Sequence, residues 1–232
     1  MSVDAVVAAW DGTAAGAVAL QQQFARELLL RDGFARPPRT VAGIAFAIGD
    51  GDHARAAIVV CDAVGGRRLQ RRDATRPAAG DRDAPPAFRA LPALLAAFDA
   101  LPAAPDLALF AGHGIDHPRG LGSAALFALA RDLPTIAVAR RVQHGRGRLP
   151  HDTRGAYTAL RGADGRQRGW LLRTDPAEPP LVVSPAHRVA IASAADLVMR
   201  FTGPRRIPPC LRLARAGTRR STGDDGTTTA GV

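Results

Sequence analysis

The stretch from Asp106 to Arg119 constrains the fold of this 232-residue chain more than any other. An apolar segment ends at Ala111, and the tight turn Gly112-His113-Gly114 and the triplet His117-Pro118-Arg119 follow it. In α/β proteins, the carboxyl end of a central strand is where ligands and metal ions are bound. The stretch therefore predicts a central strand that ends at a functional site. The residue at the tip of that strand, however, is an alanine, which offers no ligand.

Hydrophobic periodicity predicts two different halves of the chain. In the first half, a helix precedes three strands that short turns join as an antiparallel meander; these elements span residues 13–31, 41–48, 54–62 and 67–73. After a polar loop, helices and strands alternate as in a parallel sheet with crossover helices, at residues 86–100, 107–110, 121–131 and 134–139. A hairpin, a short strand and a helix follow at 157–174, 181–183 and 192–201. This order predicts an α/β fold, a ribonuclease H-like mixed five-stranded sheet flanked by helices.

The basic composition favours a polyanionic partner. The net charge is +10, and all 31 basic residues are arginine. Nucleic acid is the first partner that such a charge indicates, although an excess of arginine, alanine, glycine and proline is also typical of a GC-rich genome. The sequence shows neither an apolar run of membrane-spanning length nor a secretory signal. Cys61 and Cys210 lack the spacing of metal ligands, and we expect a protein of the reducing cytoplasm.

A set of short motifs between about residues 14 and 214 resembles, in order and spacing, the motifs of the endonuclease V family, nucleases that cut nucleic acid beside deaminated adenine. The motifs are Val41–Ala45, Ala87–Ala90, Ala111–Arg119, Asp132–Ala139, Leu171–Thr174, Ser184–Val189 and Arg206–Pro208. The resemblance implies a ribonuclease H-like fold. It also implies Mg²⁺-dependent hydrolysis of DNA or RNA on the 3′ side of inosine or deoxyinosine, in repair or turnover of nucleic acid.

The resemblance also reveals a departure from the family at the metal site. Carried over residue by residue, the family's three metal-binding acids fall on Ala45, Ala90 and Ala111. Mg²⁺ prefers oxygen ligands, and a methyl group supplies none. We therefore expect no metal site and no cofactor in this chain, where the family uses Mg²⁺, and we expect the chain to be catalytically inactive.

Few neighbouring acids are placed to replace the missing ones. Asp50 lies five residues beyond Ala45, on the opposite strand face and about 17 Å along an extended chain. Asp52 is no better placed, and both residues are typical of a turn. Asp106 lies at the wrong end of its strand. Asp116, which follows the glycine turn, is the one candidate substitute.

Further site residues are implied by the resemblance alone. It gives His187 a catalytic role, and it assigns nucleic-acid contacts to Gly112, His113, Gly114, His117, Arg119, Gly122, Arg140 and Arg188. We expect the basic members and His187 to surround the vacated metal site and to hold a phosphate without metal. Spacing by itself favours a simple tight turn at 112–114 and a structural histidine at 187, and it is as typical of a solvated loop at 140–154 as of a phosphate-contacting one. The family's aromatic wedge falls on Gly80-Asp81-Arg82-Asp83 and is missing.

Three functions stay open at this point. The first is an inactive member of the family that still binds DNA or RNA. The second is an active Mg²⁺-dependent deoxyinosine endonuclease whose metal site is rebuilt around Asp116, and the third is a non-enzymatic module that binds a protein. We expect one domain over residues 1–215, a disordered tail over 216–232 and no membrane association. The sequence distinguishes neither DNA from RNA nor one oligomeric state from another.

Overall fold

A computed structural model describes residues 10–34, 36–49 and 51–219. The helices in this part are α1 (Ala14–Phe24), α2 (Pro86–Arg89), α3 (Leu91–Asp99), α4 (Ser123–Arg131), α5 (Ile191–Arg200) and α6 (Pro209–Gly217), and a single 3-10 turn follows α1. The strands are β1 (Thr40–Ile48), β2 (His53–Asp62), β3 (Arg68–Pro77), β4 (Leu107–Ala111), β5 (Thr135–Ala139), β6 (Tyr157–Arg161), β7 (Gln167–Leu172) and β8 (Leu181–His187).

All the strands join one mixed sheet in the order β3-β2-β1-β4-β5-β8-β7-β6. The first five of these strands form the ribonuclease H-like sheet that the sequence predicts, with β1 antiparallel to β2 and parallel to β4. Strand β5 continues the parallel part, and β8, β7 and β6 extend the sheet with antiparallel pairs. The expected fold is therefore confirmed, and the predicted hairpin adds its strands to the same sheet.

The alternation of side chains along each strand creates two apolar layers. In β4, Ala108 and Phe110 pack with helices α1, α3 and α4 on one face, whereas Leu107 and Leu109 pack with α5 and α6 on the other. Helix α1 begins at a side-chain cap, because the Thr13 hydroxyl accepts the Gly16 N–H at 2.9 Å. Both faces of the central strands are covered, which explains why their sequences are continuously apolar.

Helix α1 is shorter than the periodicity predicts. The pattern extends to residue 31, but the helix ends at Phe24 and extended backbone begins at Leu28. The reason is a tertiary contact: the Leu29 carbonyl accepts the Arg188 N–H, and the Gly33 N–H donates to the Arg188 carbonyl. Residues 28–33 therefore run alongside the end of β8 instead of continuing the helix.

Helix α6 is an element that the sequence analysis does not predict. Its buried residues Cys210, Leu211 and Ala214 follow helical spacing. The helix crosses β1 at Gly43, where a Cβ atom would lie 2.2 Å from the carbonyl carbon of Cys210. Glycine is thus required for this close approach. The helix also includes the first two residues of the expected tail, and residues beyond 219 lie outside the described part.

The expected helix over 86–100 is divided at Ala90 into α2 and α3. Pro92 lacks an N–H, so it cannot donate to the carbonyl one turn earlier. At one edge of the sheet, β3 is longer than expected and carries four arginines, Arg68, Arg71, Arg72 and Arg76. Among the described residues, no helix combines the length and apolarity needed to cross a membrane.

Candidate nucleic-acid interface

Ala45 and Ala111 lie side by side where the parallel pairing of β1 with β4 ends; Ala111 is the last residue of β4, and Ala45 lies three residues before the end of β1. Their predecessors, Ile44 and Phe110, are partners in the parallel register. Both alanine side chains belong to the layer covered by α5 and α6, and Ala45 is only 2% exposed. The structure therefore brings together two of the positions at which the resemblance places metal-binding acids.

Ala90 occupies a different environment from the other two alanines. It lies between α2 and α3, is fully buried and packs in the layer on the opposite face of the sheet. None of the three side chains carries an oxygen atom, so the donor set does not suit Mg²⁺. In the described part of the chain, no group of three or more His, Cys, Asp or Glu side chains is arranged to hold a metal ion.

Asp116 is committed to the glycine turn and is turned away from the alanines. One carboxylate oxygen lies 2.5 Å from His113 Nδ1, and the other accepts the Gly114 N–H at 2.7 Å. The Asp116 N–H in turn donates to Ser184 Oγ. Val183 packs in the same layer as Ala45, so the adjacent Ser184 faces the other side of the sheet. The carboxylate therefore closes a turn on the opposite face from Ala45 and Ala111.

Three histidines cluster beside this turn. The ring centroid of His144 lies 5.9 Å from that of His113 and 5.5 Å from that of His117. Burial, reinforced by the charge of Arg119, lowers the pKa of His117 to about 4. Burial also acts to lower the pKa of His113, but the hydrogen bond and charge of Asp116 outweigh it and raise this pKa. A cavity of about 450 Å³ opens between His117, His144 and Arg168.

The glycines assigned to nucleic-acid contacts have packing roles in the structure. A Cβ atom at Gly112 would lie 2.2 Å from Ser123 Oγ, and one at Gly122 would lie 2.3 Å from the His113 carbonyl oxygen. At Gly114, a Cβ atom would lie 2.3 Å from a carbonyl oxygen of β8. The tight turn therefore requires all three glycines. Contact of this turn with nucleic acid stays a prediction.

His187 and Arg188 are not brought to the vacated metal site, which corrects the sequence-based expectation. His187 pairs with Thr135 at the start of β5, whereas Ala111 pairs with Val138 near its end. The two positions are therefore at opposite ends of β5, about 10 Å apart along the strand. The error arose because a motif fixes a residue's place along its strand but not the direction in which that strand runs.

At its own end of the sheet, Asp132 holds His187 and Arg188 in a closed network. The carboxylate accepts two hydrogen bonds from Arg188, each 2.6 Å long, and lies 2.9 Å from His187 Nε2. The Leu29 N–H donates to His187 Nδ1. The hydrogen bonds from Arg188 are the main cause that lowers the pKa of Asp132 to about 2. Burial lowers the pKa of His187, which keeps its ring neutral. This Asp132 network joins three separate segments of the chain, which contain Leu29, Asp132 and the pair His187-Arg188.

The remaining residues from the sequence analysis serve the local structure. Asp52 lies in the turn after β1 and forms an ion pair with the buried Arg89. The Asp106 carboxylate accepts two main-chain N–H groups at the start of β1. Arg119 Nε donates to Gln21 Oε1 at 2.6 Å. At the expected wedge position, the Asp81 N–H donates to the Gly12 carbonyl. Asp50 lies outside the described residues.

One basic residue that the sequence did not indicate is Arg215, in the last turn of α6. At Gly217, in the same turn, a Cβ atom would lie 3.0 Å from the Cβ of Ala57, the β2 partner of Ala45. Burial, followed by the charges of Arg140 and Arg219, lowers the pKa of Arg215. The helical spacing of the buried residues in α6 is the signal that would have located it.

The sheet order, together with a site at the carboxyl ends of β1 and β4, defines a domain of the ribonuclease H-like nuclease class. The family model described as Endonuclease V matches residues 22–216. The chain is 41% identical over 224 residues to an Endonuclease V of Xanthomonas campestris pv. campestris, covering 94% of both proteins. This chain belongs to the endonuclease V family.

Solved structures agree with this assignment. The crystal structure of the Endonuclease V from Streptomyces avermitilis matches with a TM-score of 0.81 and 33% identity, covering 92% of this chain and 95% of that one. Endonuclease V of Ciona intestinalis, crystallised with a 23mer DNA that contains an inosine, matches with a TM-score of 0.74 and 18% identity over 87% of this chain and 93% of that one. The latter likeness shows the fold.

Proposed function

We propose that this chain is an endonuclease V family protein that binds DNA or RNA and does not hydrolyse it. The observation that carries the proposal is the pair Ala45 and Ala111, which lies where the parallel pairing of β1 with β4 ends. These strand ends are where such a fold places its catalytic groups. With Ala90 also lacking an oxygen, no side chain at the family's acid positions can anchor Mg²⁺. The proposed protein therefore uses no cofactor.

Charge and family membership support the retained binding. The chain has a net charge of +10, and a relative of the same fold was crystallised with inosine-containing DNA. Removing carboxylates from a phosphate-facing site also removes repulsion for the nucleic-acid backbone. The cluster of His113, His117 and His144 would then contact the nucleic acid beside the turn, since the neutral ring of His117 both donates and accepts hydrogen bonds.

The geometry of Asp116 argues against a rebuilt metal site. Both oxygens of this carboxylate are already held by His113 and by the Gly114 N–H. A cation there would have to displace these hydrogen bonds, and it would find no second carboxylate at Ala45 or Ala111. The binding protein is therefore preferred over an active endonuclease.

The family match and the two cysteines support a proposal for the domain organisation and the cellular compartment. The family match over residues 22–216 supports one domain that fills nearly the whole described chain. Both cysteines are free and buried, which suits a reducing cytoplasm. We therefore place the protein in the cytoplasm, with nucleic acid as its partner.

A binding titration with and without chelator tests the proposal. Fluorescence anisotropy with inosine-containing and plain oligonucleotides, as DNA and as RNA, should show binding in EDTA. The logarithm of the affinity should fall linearly as salt rises from about 50 to about 200 mM, because phosphate contacts release counterions. Binding that is absent, or that does not change with salt, would contradict the proposal. Co-purification with a protein and no nucleic acid would favour the interaction module.

A cleavage assay tests the inactivity directly. The chain and the Xanthomonas campestris relative should be incubated with a deoxyinosine duplex and Mg²⁺ or Mn²⁺. We expect product only from the relative, which serves as the positive control. Specific cleavage by this chain that disappears in Asp116→Ala would establish the rebuilt metal site instead.

A further inference from the structure

We propose that Arg140 and Arg215 form a phosphate-binding site over Ala45 and Ala111, so that this chain holds a backbone phosphate with guanidinium groups and without metal. The inference deepens the proposed function and rests on it, because it names the contact that replaces the metal site. Three observations carry it: the course of helix α6, the end of β5, and the lack of ion pairs at Arg140 and Arg215 within the part of the chain that the structure describes.

Helix α6 brings Arg215 to the carboxyl end of β1. The helix begins with Cys210 packed on Gly43 and ends with Gly217 against Ala57, the partner of Ala45. Its last turn therefore lies above the pair Ala45 and Ala57. Ala214 is fully buried in the same layer as Ala45, and the adjacent Arg215 is half-buried at the rim of that layer.

Arg140 approaches the same place from the other side. It directly follows β5, in which Val138 pairs with Ala111. The buried Arg206 fixes its main chain by donating to the Arg140 carbonyl at 2.8 Å. The Arg140 side chain is exposed. An anchored backbone lets the exposed side chain reach a phosphate from a defined position.

Neither Arg140 nor Arg215 has a carboxylate within salt-bridge distance among the residues that the structure describes. Arg173 and Arg206, by contrast, each form an ion pair. Burial first, and then the charges of Arg140 and Arg219, lower the pKa of Arg215. A half-buried cation without a counterion is costly, and a bound anion would relieve that cost.

The alanines suit a phosphate better than carboxylates would. A guanidinium group donates two parallel hydrogen bonds to phosphate oxygens. In a site with aspartates, a metal cation must lie between the carboxylates and the phosphate, because both are negatively charged. With methyl groups at positions 45 and 111, the phosphate meets no repulsion and the arginines bind it directly.

Charge-removing variants test the site. Arg140→Ala and Arg215→Ala should each weaken oligonucleotide binding in EDTA about tenfold and reduce the salt slope by about one. Arg200→Ala is the matched control. It removes the same charge from an exposed position that lines a cavity with Val41, near the opposite end of β1, and it should change the affinity less than about twofold. Arg215→Gln keeps helix propensity and replaces Arg215→Ala if that variant does not fold.

Inorganic pyrophosphate separates this inference from the proposed function. In EDTA, pyrophosphate should raise the Tm of the wild type and of Arg200→Ala, but not that of the double variant Arg140→Ala/Arg215→Ala. If the wild type binds oligonucleotides and both single variants behave like Arg200→Ala, the phosphate site is overturned and the proposed function stands. If the wild type binds no oligonucleotide but pyrophosphate stabilises it through these arginines, the phosphate site stands and the proposed function falls.

Discussion

Two basic clusters at opposite ends of the sheet differ in whether they contain their own counterion. At the start of β5, Asp132 satisfies both Arg188 and His187. At the carboxyl ends of β1, β4 and β5, the charges of Arg140 and Arg215 act on each other without a carboxylate between them in the described part of the chain. The first cluster joins segments of the protein, whereas the second is available to an external anion. The difference teaches that the partner of an arginine, and not its presence in a motif, decides its role.

Gly43→Ala should have the largest effect on stability. It should disrupt the cluster of Arg140 and Arg215 and leave the Asp132 network intact. The added Cβ atom would lie 2.2 Å from the main chain of α6. The helix must therefore move, which we expect to cost about 3 kcal/mol of unfolding free energy, measured by chemical denaturation. Oligonucleotide binding should weaken as Arg215 is displaced.

Gly49→Ala is the control for that substitution, because a Cβ atom there would meet nothing within 4 Å. Its unfolding free energy should match that of the wild type. Equal stability of the two variants would show that α6 does not depend on the close approach at Gly43.

Asp132→Asn should affect stability and leave binding unchanged. The substitution leaves Arg188 and the buried His187 without their anion. Because the carboxylate is 62% exposed, we discount the effect for screening and expect a loss of about 1 kcal/mol. Asp99→Asn is the matched control: Asp99 is 61% exposed and pairs with Arg131 alone, so its loss should be smaller. A changed salt slope of binding in Asp132→Asn would contradict the separation of the two clusters.

The pH dependence of the Asp132 network follows from its lowered pKa values. A carboxyl pKa near 2 stabilises the folded state above about pH 4, and this contribution disappears as the pH falls through about 2. The lowered pKa of His187 acts in the same direction, because protonation below pH 6.5 favours the unfolded chain. NMR titration of the imidazole signals should place His187 below 6.5 and, since the raising effect of Asp132 is lost, lower still in Asp132→Asn. A His187 pKa at or above 6.5 would contradict this.

Placing acids at positions 45 and 111 should have the smallest effect, which is measured as the shift in Tm on adding Mg²⁺. In Ala45→Asp/Ala111→Asp, we expect the new carboxylates to pair with Arg215 and Arg140, so that Mg²⁺ produces no shift in Tm. Adding Arg215→Gln should make such a shift measurable. The neutral variant Ala45→Asn/Ala111→Asn controls for size. A Mg²⁺-dependent shift in the double variant with Arg215 intact would show that the arginines lie too far from these positions.

The sequence predicted the central sheet well because its strands are strongly patterned. The apolar runs at 41–48, 54–62 and 107–110 match β1, β2 and β4 closely, and the alternation of elements correctly indicated a ribonuclease H-like order. Helix α6 was missed because its nine residues expose one polar face and contain few large apolar side chains. The early end of α1 was missed because a contact with β8, distant in sequence, overrides local propensity.

The site was only partly predictable for a related reason. The positions of Ala45 and Ala111 follow from the strands that carry them, and the structure places them together. The separation of His187 from them depends on the antiparallel direction of β8, which no motif spacing specifies. Helical spacing indicates α6 itself, but its place beside β1 depends on the approach to Gly43, a backbone contact that leaves no hydrophobic pattern in β1.

The edge strand β3 has a consequence for the behaviour of the whole sheet. Its unpaired main-chain groups would otherwise offer a template on which another chain adds a strand. Because Arg68, Arg71, Arg72 and Arg76 lie along it, an incoming copy of β3 would bring like charges into close register, where they repel. The compositional bias towards arginine thus disfavours edge-to-edge pairing of this strand with another copy.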